Sequence, residues 1–375
     1  MAHKTAALVL AVAAAVVTAG FSTADQRSTQ VPAPVVTEEV PAPVVAEPAQ
    51  RPLLLKHGWD IPTPRFVAEN AAAMAASPFD GVVVTAPGVS SKVMRQAPLS
   101  LDHARAVLAP MVAARTTRMS HNFVIVYATP AGPFSGSWTT PVANFGAVAR
   151  AASEAGAEGI FFDVESYFGS SWSRWTVCPR LTDEQCADVA RERGAQTMRA
   201  MVEAAPGLTV LTSFGAWASD PSTDDALEDV PYNDISRPLA VRGHFLIGMV
   251  EAARATGSSF ADGGELYTLR SPEEFRAARA WLDTGLPSEG DIVPPGLRAD
   301  YAATVDVSFG VYDRPWLGRP MDTALWQTTL ENALDHSERY VWAYTERHDW
   351  WGTGWPEEPV PQAWVDATRR ARDSG

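Results

Sequence analysis

From residue 52 onward, short apolar runs alternate with segments of helical period. The runs are "PLLLKHGWD" (52–60), "FDGVVVTAP" (79–87), "NFVIVYAT" (122–129), "GIFFDVESY" (159–167), "LTVLTSFG" (208–215), "FADGGELYT" (260–268), "TVDVSFGVYD" (304–313) and "YVWAYTE" (340–346). Each precedes a stretch that predicts a helix, near 64–77, 100–116, 140–156, from Thr182, 238–256, 271–285, 321–337 and 361–372. Thr182 with Gln185 and Ser271 with Glu274 have capping-box spacing. At 140–156 a Thr cap is followed by Pro at the first helical position. Eight strand–helix units imply a parallel sheet, and eight of them suit a closed (β/α)8 TIM barrel over residues 52–375. The rival is an open doubly wound sheet. Its first turn would carry GxGxxG, and neither that motif nor a P-loop is present.

The ends differ from this pattern. His3 and Lys4 precede an Ala-rich apolar run, and "STA" at 22–24 offers a cleavage site, so residues 1–24 read as a secretory signal peptide. The alternative is an uncleaved membrane anchor. Residues 25–51 repeat "VPAPVV" and read as a Pro-rich disordered linker. A secreted or periplasmic location follows as the expectation. The net charge is −14, and removing residues 1–24 takes away one Lys and no acid, leaving −15. That balance gives no reason to seek nucleic acid or an anionic membrane and favours neutral or cationic ligands. Cys178 and Cys186, close together in an exported chain, are expected to form one disulfide.

Period two decides where the acids point. In "GIFFDVESY", Phe161, Asp163 and Glu165 share one face while Ile160, Phe162 and Val164 share the other. The apolar face suits the helices, leaving Asp163 and Glu165 toward the mouth of the barrel, with Tyr167 beyond them. "YVWAYTE" similarly sends Trp342, Tyr344 and Glu346 inward, "DGGELY" brings Glu265 and Tyr267, and "KHGWD" brings His57, Trp59 and Asp60. Carboxyl groups gathered on one rim push each other's proton affinities apart. Glycosidic cleavage needs such a division, with one acid to protonate the leaving oxygen and a second carboxylate as base or nucleophile. Among the 13 Trp, Trp350 and Trp351 in "HDWWGTGW" offer flat faces for sugar rings, and His121 is a further candidate for a sugar hydroxyl. Each residue has a plainer alternative. Asp163 braces Glu165, Glu265 caps a turn, Glu346 pairs with Arg347, the histidines are satisfied rim residues, and the tryptophan pair is a buried lid.

"GIFFDVESY" resembles the end of the DGxDxDWEY motif of family 18 chitinases, with Asp163 and Glu165 on the last Asp and Glu. Phe161 and Val164 depart from that motif. "GWDIP", "PFDGVVV", "DGGELY" and "YVWAYTERHDWW" resemble uncharacterised exported (β/α)8-barrel proteins classed as glycoside hydrolases. The resemblance implies that Glu165, Glu265 and Glu346 belong to one site. The expectation is a secreted glycoside hydrolase acting on a poly- or oligosaccharide, with Glu165 as acid, Glu346 or Glu265 as base or nucleophile, Asp163 orienting Glu165, and no cofactor. The alternatives are a carbohydrate-binding barrel without catalysis, a metal-dependent hydrolase using His57, Asp60, Asp163 and Glu165, and a structural envelope protein on a Pro-rich stalk.

Overall fold

Nine parallel strands form one sheet in the order β7-β6-β5-β4-β3-β2-β1-β9-β8. They are β1 (Leu53–Gly58), β2 (Gly81–Thr85), β3 (Phe123–Tyr127), β4 (Gly159–Asp163), β5 (Thr209–Thr212), β6 (Phe260–Asp262), β7 (Val305–Val307), β8 (Phe309–Tyr312) and β9 (Tyr340–Thr345). The computed structural model describes residues 51–166, 172–228, 240–315 and 318–374. The signal-peptide and linker expectations, Arg51 apart, and Tyr167 therefore fall outside the described residues.

The run 304–313, read from the sequence as one strand, is broken at Ser308. Its first half pairs with β6 and its second with β9. The Ser308 N–H donates to Asp262 O at 2.9 Å and the Gly310 N–H to Gly264 O at 3.1 Å, so the broken strand closes the ring. The nine segments are thus eight staves of an α/β TIM barrel, with helices outside.

Alternation within each strand divides the core in two. Leu55, Val83, Ile125, Phe161, Leu211 and Trp342 fill the barrel interior, whereas Leu54, Val84, Val124, Phe162, Val210 and Val341 pack under the helices. A one-residue slip in any stave would exchange these sets, which is why the register is firmly specified. Both capping boxes form, at Thr182–Gln185 and Ser271–Glu274. The third start differs, because the helix Thr139–Glu154 begins two residues before Pro141, with Trp138 in the cap position and no side-chain cap. The Val142 N–H reaches back to Trp138 O, drawing Thr139 and Thr140 into the first turn. Cys178 and Cys186 are joined, tying the turn Arg174–Val177 to the start of the helix Asp183–Ala204. Among the described residues, no helix is long and apolar enough to cross a membrane.

Candidate active site

The C-terminal ends of β1, β4, β6, β8 and β9 surround a cavity of about 270 Å³. Four carboxyl side chains line it: Asp163 and Glu165 from β4, Glu265 beyond β6, and Glu346 beyond β9. The walls are aromatic, with Trp59, Phe161, Tyr267, Tyr312, Trp342 and Tyr344. Tyr267 stacks on Tyr312 and Tyr344 with ring centroids 5.0 and 5.5 Å apart. Two glycines aim side chains into this space. Gly58, at φ 138°, turns the chain where a Cβ would lie 2.1 Å from Thr345 O, and Trp59 follows. Gly264, at φ 51°, does the same against Ser308 O at 2.2 Å, and Glu265 follows. Both backbones favour glycine strongly.

The acids fall into two environments. Glu265 and Glu165 are side-chain hydrogen-bonding neighbours. Burial first, then the adjacent Glu165 and Asp163, hold Glu265 well above the usual carboxylate range, and Arg242 opposes this. Arg242 is almost wholly buried, with its guanidinium 5.0 Å from the Phe214 ring. Asp163 braces Glu165, its Oδ1 accepting the Glu165 N–H at 2.9 Å. Glu346 has partners of its own. Its Oε2 accepts from the Tyr312 hydroxyl at 2.7 Å and lies 3.5 Å from Arg314 Nε. Arg347 pairs instead with Glu358. Tyr344 feels all four acids; burial first, then Glu346, Glu165, Glu265 and Asp163, raise its phenol far above the ordinary value.

His57 lies in a ring cage, 4.8 Å from Phe161, 5.2 Å from Tyr344 and 5.7 Å from Trp342. Burial, helped by the Lys56 charge, pushes it down to about 3, so it meets a ligand as a neutral imidazole. Its buried Nδ1 has no hydrogen-bond partner among the described residues.

Of the residues singled out from the sequence, His57, Trp59, Asp163, Glu165, Glu265, Tyr267, Trp342, Tyr344 and Glu346 converge on this cavity. Four others lie elsewhere. Asp60 is fully buried, holding Lys56 and accepting the Trp350 N–H at 2.8 Å. His121 precedes β3 at the opposite end of the barrel, 3.2 Å from Glu158. Trp350 and Trp351 pack edge-on to Phe79 in the outer core. Sequence reasoning also missed contributors. Tyr312 was legible in principle, since it alternates inward with Gly310 along "FGVY", where Phe309 and Val311 face the outer core. Arg242 left only a faint signal, one cation in the apolar stretch "AVRGHFLIGMV". A second cavity of about 390 Å³ adjoins the first through His57, Trp59, Asp163 and Tyr344, and is bordered by the exposed Trp355. Among the described residues, no group of three His, Cys, Asp or Glu is placed to hold a metal ion.

No protein-family model matches the chain, and no curated protein is similar to it in sequence. Among solved structures it is similar to GH5_18 from Streptomyces cattleya in complex with GlcNAc, at 15% identity over 87% of this chain and 82% of that one, with a TM-score of 0.46. It is also similar to the exo-beta-1,4-mannosidase Op5Man5 from Opitutaceae bacterium strain TAV5, at 11% identity over 87% and 60% with a TM-score of 0.46. A protein described as a phosphonomutase, from Burkholderia cenocepacia J2315, overlaps 78% of this chain and 87% of its own at 14% identity and a TM-score of 0.34. Likenesses this loose carry no activity across, and function has to be argued from the rim.

Proposed function

We propose that the chain is a glycoside hydrolase, and that the cavity at the C-terminal rim binds a sugar unit of a poly- or oligosaccharide. The observation carrying this reading is the division of the acids, a buried Glu265 held above the usual carboxylate range beside Glu165, and Glu346 accepting from Tyr312, within one aromatic-walled cavity. In this mechanism Glu265, the protonated member of the pair, donates to the glycosidic oxygen as the bond to the anomeric carbon breaks. Glu165 holds and retunes that proton, and Asp163 fixes the Glu165 backbone. Glu346, held by Tyr312 and Arg314, works on the anomeric carbon as nucleophile or as base for water. Water supplies the hydroxyl of the new reducing end and restores the proton. This assigns the acid to Glu265, where the sequence alone suggests Glu165. Trp59, Tyr267, Trp342 and Tyr344 supply faces for the ring, and neutral His57 a hydrogen bond to a hydroxyl. The leader at 1–24 carries the export part of the proposal.

One observation favours a second reading. The aromatic walls, with Trp59, Tyr267, Trp342 and Tyr344, would equally suit a barrel that only binds glycans. Chemical rescue decides between them. Glu346→Ala is expected to lower reducing-end release from a glycan panel by about 10³-fold or more, and sodium azide to restore part of the bond cleavage at the vacated position, the sugar leaving as a glycosyl azide rather than as a new reducing end. Glycan binding by the wild type without any release would favour the binding barrel.

A further inference from the structure

The charge lining the cavity narrows the sugar. Among the described residues, neither the main cavity nor the adjoining one is lined by Lys or Arg. The nearby cations are already engaged. Arg314 pairs with Glu346, donates to Glu357 at 2.5 Å and lies over Trp59, while Arg242 is buried, donating to Ala218 O at 3.3 Å, and its one charge acts on Glu265, Glu165 and Asp163 together. Asp163 borders both cavities and is 3% exposed, deep enough that solvent screens it poorly. A second observation is independent of the acids. His57, 8% exposed, lines both cavities and has an Nδ1 with no partner among the described residues. The ring cage keeps this imidazole neutral, so it can accept an N–H from a ligand as readily as it can donate to a hydroxyl.

We infer that the sugar unit taken at this cavity carries a free amine, an ammonium-bearing hexosamine residue, rather than an N-acetylated, neutral or uronic one. This rests on the glycosidase reading and sharpens its substrate. An ammonium beside Asp163 would add to the single positive charge that Arg242 brings to these acids, and its donors match the Asp163 oxygens and His57 Nδ1. A uronate would bring like charge to the same acids, and an acetamido group would cover them without neutralising them. The aromatic walls favour a pyranose ring over a flexible polyamine, which has no flat face to lay against Trp342 or Tyr344.

Calorimetry on the full chain tests this with polyglucosamine and polygalactosamine fragments, their fully N-acetylated counterparts, and uronate fragments. Amine-bearing fragments are expected to bind at least about tenfold more tightly than N-acetylated ones, by an advantage that shrinks with added salt. Asp163→Asn is expected to reduce the ratio of the two affinities several-fold. Equal or tighter binding of N-acetylated, neutral or uronate fragments, or binding of none, would overturn the inference. Reducing-end release run in parallel separates the two claims. Cleavage confined to neutral or N-acetylated glycans would sink the amine assignment and keep the hydrolase. Tight amine binding without cleavage of anything would keep the amine assignment and sink the hydrolase.

Discussion

Glu265→Gln is expected to lower kcat by about 10²–10⁴-fold while making the protein more heat-stable at neutral pH. The loss follows because an amide preserves the hydrogen bond to Glu165 but has no proton to transfer. The gain follows from linkage. Burial and two neighbouring carboxyls raise the folded-state Glu265 above its ordinary value of 4.5. Above pH 4.5 the unfolded chain releases this proton while the folded chain retains it, so the unfolded state binds fewer protons and stability falls as pH rises toward the folded value. Gln has no such dependence. The melting temperature of the variant should therefore exceed that of the wild type at pH 7 to 8, and the gap should close toward pH 4. A merely structural Glu265 would give a variant less stable at every pH. Melting curves across pH, beside kcat, make the comparison.

The second large effect lies behind the site. Lys56 and Asp60 are 1% and 0% exposed and form an ion pair closed off from water. Burial pushes Lys56 down and Asp60 up, and each charge opposes the other's shift. Asp60 also accepts from Trp350 N–H and from the Thr345 hydroxyl at 3.4 Å, joining the end of β1 to the chain beyond β9. Asp60→Ala leaves a buried ammonium and a backbone N–H without their acceptor, and is expected to cost about 3–5 kcal/mol in denaturant unfolding. The double variant Lys56→Met/Asp60→Leu should recover part of that loss, since the unpaired charge goes with its partner. A loss below about 1 kcal/mol in the single variant would mean that solvent reaches the pair.

This pair shows where sequence reading stops. Asp60 has much the same local credentials as Asp163, an acid at the end of an apolar strand, yet one is held by Lys56 and the other borders the cavity. The difference lies in "LLLKHG", where Lys56 takes the outward place in the alternation and reaches Asp60 four residues on. That contact spans a turn whose direction depends on Gly58, so strand period alone could not reveal it. Period two worked where the strand is continuous. Phe161 and Asp163 in β4, and Trp342 and Tyr344 in β9, all point as their alternation requires. It could not show the break at Ser308, which depends on pairing with two different neighbours. Glu265, read from the sequence as a rim acid, does reach the cavity, through the left-handed Gly264. Trp350 and Trp351 are adjacent, and "DWWGTGW" is gathered by Asp349, whose carboxylate accepts the backbone N–H groups of Trp351, Gly352 and Gly354. That turn sends the pair against Phe79 and leaves Trp355 at the adjoining cavity. Composition announced sugar-facing tryptophans without saying which.

Reducing-end release from a broad polysaccharide panel, amine-bearing polymers included, comparing the wild type with Glu165→Gln, tests the central claim most directly. Release by the wild type that falls at least about a hundredfold in Glu165→Gln, with the melting temperature nearly unchanged, is the predicted result. Equal release by both proteins would contradict the carboxyl-pair mechanism, and release by neither would contradict the hydrolase assignment itself.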